Sequence, residues 1–483
     1  MADIRVACSG CGTVVAADER LPFRCPNAEG NDGVDHVLVR HLAGHSLSSP
    51  PRRRGSRASD GAVALDSRFR GNDEEGNGNA VAFPPPATDL AAENPFLRYR
   101  RLSLSYHLAR RHGLSDAGYG ALVEELDGAV ARVDGRGFRI TPFAPLPALP
   151  GAIAAPAGTE VWVKDETANV SGSHKARHLM GVMIYLKVID RLGLPVAKGL
   201  RDRRLAIASC GNAALGAAVI ARAADWPLDV FIPPDAEAPV VRRLKDLGAT
   251  CHVMERQAGQ TGDPCYHGFR AAVAAGGLPF GVQGNEVGLA IEGGHTLGWE
   301  MADALRRAGA ALDLLVIQVG GGALGSACFR GLQEAQALGA LDRLPAIFTV
   351  QTMGAYPLKQ AFTRFAGEAD PADLAGSLHR AARNRADYMK PWPATPVSVA
   401  HGILDDETYD WLALVEAMAA TDGDARIVGE PRLIAANRIG RDVAGIAVSA
   451  TGSAGLAGLM DICGAGLPEG SRAAVLFTGI ERA

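Results

Sequence analysis

Four groups of residues in this sequence could carry chemistry. Lys175 stands in SGSHKARHL, between small residues and an apolar run, in a chain whose basic residues are mostly arginine. A lysine amine taken out of water has a lowered pKa, so near neutrality part of it is free to attack a carbonyl carbon or accept a proton. Arginine, always charged, does neither. An ordinary lysine is a solvated surface residue, because burying an unpaired ammonium is costly, so the neighbourhood has to justify any other reading. Gly320, Gly321 and Gly322, followed by Ala323 and Leu324 in VIQVGGGALGSA, sit where an apolar run gives way to a helical one. Backbone N–H groups there could approach an anion closely, with the helix terminus adding partial positive charge. A plain tight turn uses glycine equally well, and the pattern matches neither common nucleotide-binding fingerprint. Ser209, Gly211 and Asn212 lie in ASCGNAALGAA, after another apolar run, at the end of a parallel strand where ligands bind in open α/β sheets. Asn212 suits a helix cap equally well. Finally, Cys8 and Cys11 have the CxxC spacing that turns two thiolates onto one metal ion; Cys25 and an assumed His36 would complete a zinc tetrahedron. A second CxxC is missing, so a degenerate ribbon with free thiols stays open beside it.

The elements that must position these residues alternate. VWVKDE reads as a strand and HLMGVMIYLKVI as a helix; LAIAS, AALGAAVIARAA and LDVFIPP read as strand, helix and strand. The beat continues through LDLLVIQVGGG, ALGSACFRGLQEAQAL and AIFTVQTMG, then GIAVSATGSAGLAGLMDIC and AAVLFTG. Such alternation predicts βαβ units and a parallel-sheet α/β fold. We read residues 1–45 as a Cys-bearing, ribbon-like segment and 46–93 as a low-complexity insertion. The catalytic unit is 94–483, with a small lobe over roughly 176–290. From 45 to 79 the chain has a basic block, then an acidic one, and little to bury, which predicts disorder; LDSRFRGND within it resembles a translated interspersed repeat.

With 483 residues, 47% of them apolar, the chain can bury a large core in more than one lobe. A formal charge of −4 with interspersed signs gives no field for polyanions, so nucleic acid is not expected as a partner. No run is long and apolar enough to predict a membrane span, and MADIRVACSGCG lacks the features of a signal peptide, so a cytoplasmic location is expected. Eight cysteines in such a chain do not predict a disulfide framework.

Taken in order, KDETANVSGSHKARHL, ASCGNAALGAA, VIQVGGGALGSA and SATGSAGLAG resemble the motifs of fold type II pyridoxal phosphate enzymes, the tryptophan synthase β family, over residues 94 to 483. The resemblance implies a two-lobed fold, a Schiff base between Lys175 and the cofactor, and a hydrogen bond from Asn212 to the ring 3′-oxygen. By the same resemblance Gly320, Gly321, Gly322, Ala323 and Leu324 hold the phosphate, Ser209 and Gly211 receive the carboxylate of a small amino-acid substrate, and Thr451 or Ser453 faces the pyridine nitrogen. It also implies a homodimer. GGGAL and SGSHKAR lean toward the threonine and serine dehydratases, and so toward β-elimination with release of ammonia. The N-terminal cysteines and TGSAG lean toward threonine synthase, a replacement reaction. A nucleotide-binding α/β protein without this cofactor is the remaining alternative on fold grounds.

Other polar residues have plainer readings. His295 is expected to be packed or capping, and Asp165 and Glu166 to form a solvated turn or bridge. Tyr388, Trp392 and His401 lie in a Pro-rich stretch that could line a substrate entrance.

Overall fold

The computed structural model describes residues 4–28, 32–42, 81–86, 89, 91, 93–257 and 262–482. The low-complexity stretch read from 46 to 79 lies outside them. Strands β1 (Arg5–Cys8), β2 (Val14–Val15) and β3 (Leu38–His41) make a small antiparallel ribbon in the order β2-β1-β3. A large sheet contains β4 (Phe143–Pro145), β5 (Glu160–Asp165), β10 (Leu314–Gln318), β11 (Ala346–Thr352), β12 (Ala425–Val428) and β13 (Arg472–Phe477). Its order is β12-β11-β10-β13-β5-β4, parallel except for β4. A second sheet, parallel throughout, has the order β8-β7-β6-β9, with β6 at Leu205–Ala208, β7 at Leu228–Ile232, β8 at Thr250–Val253 and β9 at Leu278–Pro279. Parallel strands covered on both faces read as unbroken apolar runs, and LLVIQ of β10 is buried at every position. GIAV forms no named strand; its Val448 makes an isolated bridge with Ile480 and packs with Val475 and Phe477 of β13.

Eight helices build or flank the site: α1 (Asp116–Asp134), α2 (Lys175–Leu192), α3 (Asn212–Ala223), α4 (Leu289–Ala308), α5 (Ala323–Ala337), α6 (Leu374–Ala382), α7 (Trp411–Ala420) and α8 (Ala454–Gly464). Helix α4 is the central one, and glycines let its neighbours approach. A Cβ on Gly181 of α2 would stand 2.6 Å from the Gly293 Cα, and one on Gly298 would stand 2.8 Å from the Gly331 Cα of α5. Helix α1, which precedes the 176–290 span, also packs on α3 of the smaller sheet.

Of the solvated turn or bridge expected at Glu166, the structure shows a bridge, though a buried one. The carboxylate is fully buried and accepts hydrogen bonds from Arg177 Nε at 2.8 Å and Nη2 at 3.0 Å. Arg177 also meets Glu300, which pairs with the buried Lys164. Two cations and two carboxylates thus neutralise one another in a fully buried cluster, tying the start of α2 to β5 and α4. Asp165 keeps the turn, accepting from the Thr167 amide at 2.9 Å. His295 is packed as expected, buried within α4 with its ring edge-on to Trp299.

Candidate active site

The carboxyl ends of the strands bring the sequence-marked residues together. After β5 the chain turns through Ser171, whose φ of 55° is unusual for a side-chain-bearing residue. Its amide donates to Asp134 of α1 at 2.8 Å. Backbone held this way at the entry to a helix is a feature of functional sites. Lys175 is the first residue of α2. It keeps a little exposed surface but is densely surrounded, and desolvation lowers its pKa, against the opposing charges of Asp405 and Asp410. Beside it His174 and His178 are buried, with Nδ1 atoms on the Thr478 and Ala290 carbonyls and Nε2 atoms free of hydrogen bonds among the described residues. Burial holds both rings neutral, His178 down at about 3.

Asn212 opens α3 at its first helical position, but Gly211 is the N-cap and the Asn212 side chain caps nothing. Its Oδ1 accepts from Arg482 Nη2 at 2.7 Å. A Cβ on Gly479, two residues past β13, would stand 2.9 Å from Asn212 Nδ2, so a side chain there would press on the Asn212 amide. Ser209 lies two residues before Gly211, whose amide faces the Ser209 hydroxyl at 3.4 Å.

Gly320, Gly321 and Gly322 link β10 to α5, and Ala323 and Leu324 begin that helix. Gly322 has φ of 100°, a conformation in which any side chain is strained. Side chains at Gly320 and Gly321 would collide with the segment 403–410, which folds across the turn: Thr408 Oγ1 donates to the Gly320 carbonyl at 3.0 Å and the Asp410 amide to the Gly321 carbonyl at 2.9 Å. Ser453, fully buried, donates to the Ser449 carbonyl at 3.0 Å, while Thr451 Oγ1 accepts from the Gly402 amide at 3.0 Å. Gln318 anchors this loop, donating to the Gly452 carbonyl at 2.7 Å and to Thr478 Oγ1 at 2.9 Å.

Sequence reasoning did not single out Asp405, Asp410, Arg482 or Gln318. Asp405 is pushed up to about 6 by burial, against support from Lys175 and the Gly321 N–H. Asp410 is pushed up to about 8 by burial, and its Oδ2 accepts from the Gly284 amide at 3.4 Å. The acid cluster DDETYD was the one available signal, and only the fold places it over the glycine turn.

These residues suit a cofactor with an aldehyde and a phosphate. The amine is desolvated, the glycine turn admits no side chain, and its Gly321 amide already supports an oxyanion of the chain's own, the Asp405 carboxylate. Residues 136–479 match the family described as "Pyridoxal-phosphate dependent enzyme". The chain belongs to that family. This pyridoxal phosphate enzyme is 29% identical over 212 residues to the human L-serine dehydratase/L-threonine deaminase, an alignment covering 44% of this chain. The chain spans 58% of the length of that relative. Its fold is that of the T.th. threonine deaminase, at TM-score 0.54 and 21% identity over 74% of this chain and 98% of the other. The diaminopropionate ammonia lyase of Escherichia coli shares it too, at TM-score 0.54 and 15% identity over 75% and 88%.

Away from the crevice, Cys8, Cys11, Cys25 and His36 offer ligand atoms all within 4.8 Å of one another. The Cys11 and Cys25 sulfurs are 3.6 Å apart, near the edge of about 3.8 Å that a tetrahedron with zinc–sulfur bonds of about 2.3 Å requires. His36 directs Nδ1 to the Cys8 sulfur at 3.5 Å and Nε2 to Asp32 at 2.8 Å, the carboxylate support usual for a ligating imidazole. Among the described residues, no helix is long and apolar enough to cross a membrane.

Proposed function

We propose that the protein is a pyridoxal phosphate-dependent lyase that releases ammonia from a small amino acid by β-elimination. The observation that carries this reading is the desolvated Lys175 amine at the head of α2, with the glycine turn and Asp410 acting on the same crevice. Lys175 would anchor the cofactor, Gly320 to Leu324 would hold its phosphate through backbone amides, and Asn212 would position its ring. Thr451 or Ser453 would face the ring nitrogen. The bound cofactor supplies an electron-withdrawing ring that stabilises negative charge at the substrate Cα.

The chain's own groups do the rest. With the cofactor bound, the Lys175 Nζ would take the substrate Cα proton, a role that desolvation favours by lowering the pKa of the amine. Ser209 and Gly211 would receive the substrate carboxylate at the entry to α3. Asp410, held protonated near neutral pH by burial, carries a proton on its carboxyl oxygen that a departing hydroxide or amine needs. Homology to the human dehydratase supports elimination. Threonine synthase-like replacement is the second reading, favoured by the N-terminal cluster of Cys8, Cys11, Cys25 and His36, which we read as a structural zinc site.

One panel tests both. Ammonia and keto-acid release from serine, threonine and 2,3-diaminopropionate supports elimination; phosphate release from O-phosphohomoserine without keto acid replaces it with the synthase reading. Borohydride should fix the cofactor to Lys175, and Lys175→Ala should abolish the visible absorbance band and lower the rate by about 10²–10⁴. A folded Lys175→Ala protein with unchanged absorbance overturns the proposal.

A further inference from the structure

The zinc-type ribbon does more than sit on the surface. Between it and the large lobe lies a cavity of about 850 Å³, within the size range of small-molecule sites. Strands β1 and β3 form one wall through Val6 and Leu38, α4 and α5 a second through Ile291 and Ala337, and α6 and α7 a third through Leu374 and Leu412. The lining is more apolar than polar, and each of its five acids has at least one partner: Asp373 accepts from the Gly376 amide at 2.9 Å and Asp410 from the Gly284 amide at 3.4 Å. Glu292 pairs with Arg40 at 2.7 Å and accepts from the Leu104 amide, Glu416 pairs with Arg330 at 2.6 Å, and Asp35 accepts from the Trp411 indole at 3.0 Å.

Beside Asp35 Oδ2, which has no hydrogen-bond partner among the described residues, what is left over in the wall is donor capacity. Arg40 is 5% exposed, and its Nη1 has no hydrogen-bond partner among the described residues. Arg5 has no ion pair, and the half-buried His41 no side-chain hydrogen bond, among those residues. Desolvation first, then the charges of Arg330, Arg5 and Arg40 against that of Glu334, hold the His41 imidazole down at about 4, so the arginines outweigh the acid at this ring. An apolar chamber with surplus donors and positive potential at one end is complementary to an anion with an apolar body.

We propose that this cavity is a second ligand site, taking a small amphipathic anion whose head meets Arg5, Arg40 and His41 and whose tail lies along the apolar walls. The site is separate from the Lys175 crevice but shares structure with it. Asp410 lines the cavity, and its carboxyl, once ionised, acts on the Lys175 amine. Helix α4 turns Glu292 and His295 to the cavity and Gly293 to α2, where a Cβ would stand 2.4 Å from the Arg177 carbonyl. A ligand that shifts either wall therefore changes the surroundings of the amine, which makes the site an effector site.

Calorimetric titration of the zinc- and cofactor-loaded enzyme tests this, with octanoate and octyl phosphate as anionic probes and octylamine as the cationic control. We expect one site per chain for an anion, at least tenfold weaker binding of octylamine, and at least tenfold weaker anion binding in Arg5→Gln/His41→Ala, with zinc content and visible absorbance unchanged. The two anions differ in head group, and the tighter one identifies carboxylate or phosphate as the natural chemistry. Ala413→Trp, which fills the chamber from α7, should abolish binding without touching the donors. Equal binding of octylamine, or full binding in both variants, overturns the proposal. Anion binding should also shift the visible cofactor band; binding with no shift overturns the coupling to Lys175. Because heat is the primary readout, these outcomes do not depend on which reaction the enzyme catalyses.

Discussion

Around Lys175 the decisive residues are two carboxylates that meet it from a distant part of the chain. Asp405 takes the Gly321 amide that the proposed phosphate would use, so like charges contend for one donor. Asp405→Asn should tighten cofactor binding severalfold, measured by titrating the cofactor-free enzyme and following absorbance. Asp410 carries a linkage prediction. Its pKa in the folded chain, about 8, lies above the ordinary 3.8, so its contribution to stability is complete below about pH 4 and is lost as pH rises through 8. Thermal unfolding of the cofactor-free protein from pH 5 to 8.5 should therefore show a decline, worth up to a few kcal/mol, that Asp410→Asn flattens. Lys175 and Asn212 could be picked out from the sequence because local motifs carry them. Asp405 and Asp410 could not, since their place depends on residues 403–410 folding back across a turn more than eighty positions earlier in the chain.

At the scale of elements, the lysine is held by what α2 packs against. Its first turn is pinned by Arg177 between Glu166 and Glu300, and its middle is seated on α4 where two glycines cross. Arg177→Met leaves two buried carboxylates short of a partner and should cost about 3–5 kcal/mol in denaturant unfolding. Gly293→Ala forces a methyl into the α2 backbone and should cost about 1–3 kcal/mol, with a loss of activity larger than its effect on folding would give. Most strands and helices could be read from the sequence, since buried parallel strands such as LLVIQ and helices such as HLMGVMIYLKVI announce themselves by apolar run and length. The burial of Glu166 is not legible in the sequence because a charged triplet, KDE, looks solvated until its partners from α2 and α4 are known. GIAV forms no strand because only Val448 is buried and paired, in a single bridge, while Ile446 is half-buried and Ala447 exposed, with no ladder to join.

For the molecule as a whole, the ribbon and the catalytic lobes are physically joined. Asp35 of the ribbon accepts from the Trp411 indole and pairs with Arg385 at 3.3 Å, and Tyr185 of α2 donates to the Ala17 carbonyl at 2.7 Å. If zinc organises the ribbon, about one ion per chain should be found by metal analysis, and a strong chelator should open the ribbon to proteolysis and lower the unfolding temperature. Retention of full protease resistance after complete metal removal would assign those four side chains to packing alone. The CxxC spacing suggested this cluster, but neither Asp32 behind His36 nor the bond from Asp35 to Trp411 has a local signature. At the opposite end of the chain, Arg482 reaches back to the Ser171 carbonyl and to Asn212, both at 2.7 Å. Anything spliced on just past it, an affinity handle or a fluorescent fusion, would leave the molecule from the rim of the catalytic crevice. Such an appendage would act as a tethered obstruction, and sluggish turnover in its presence would say more about the graft than about the enzyme.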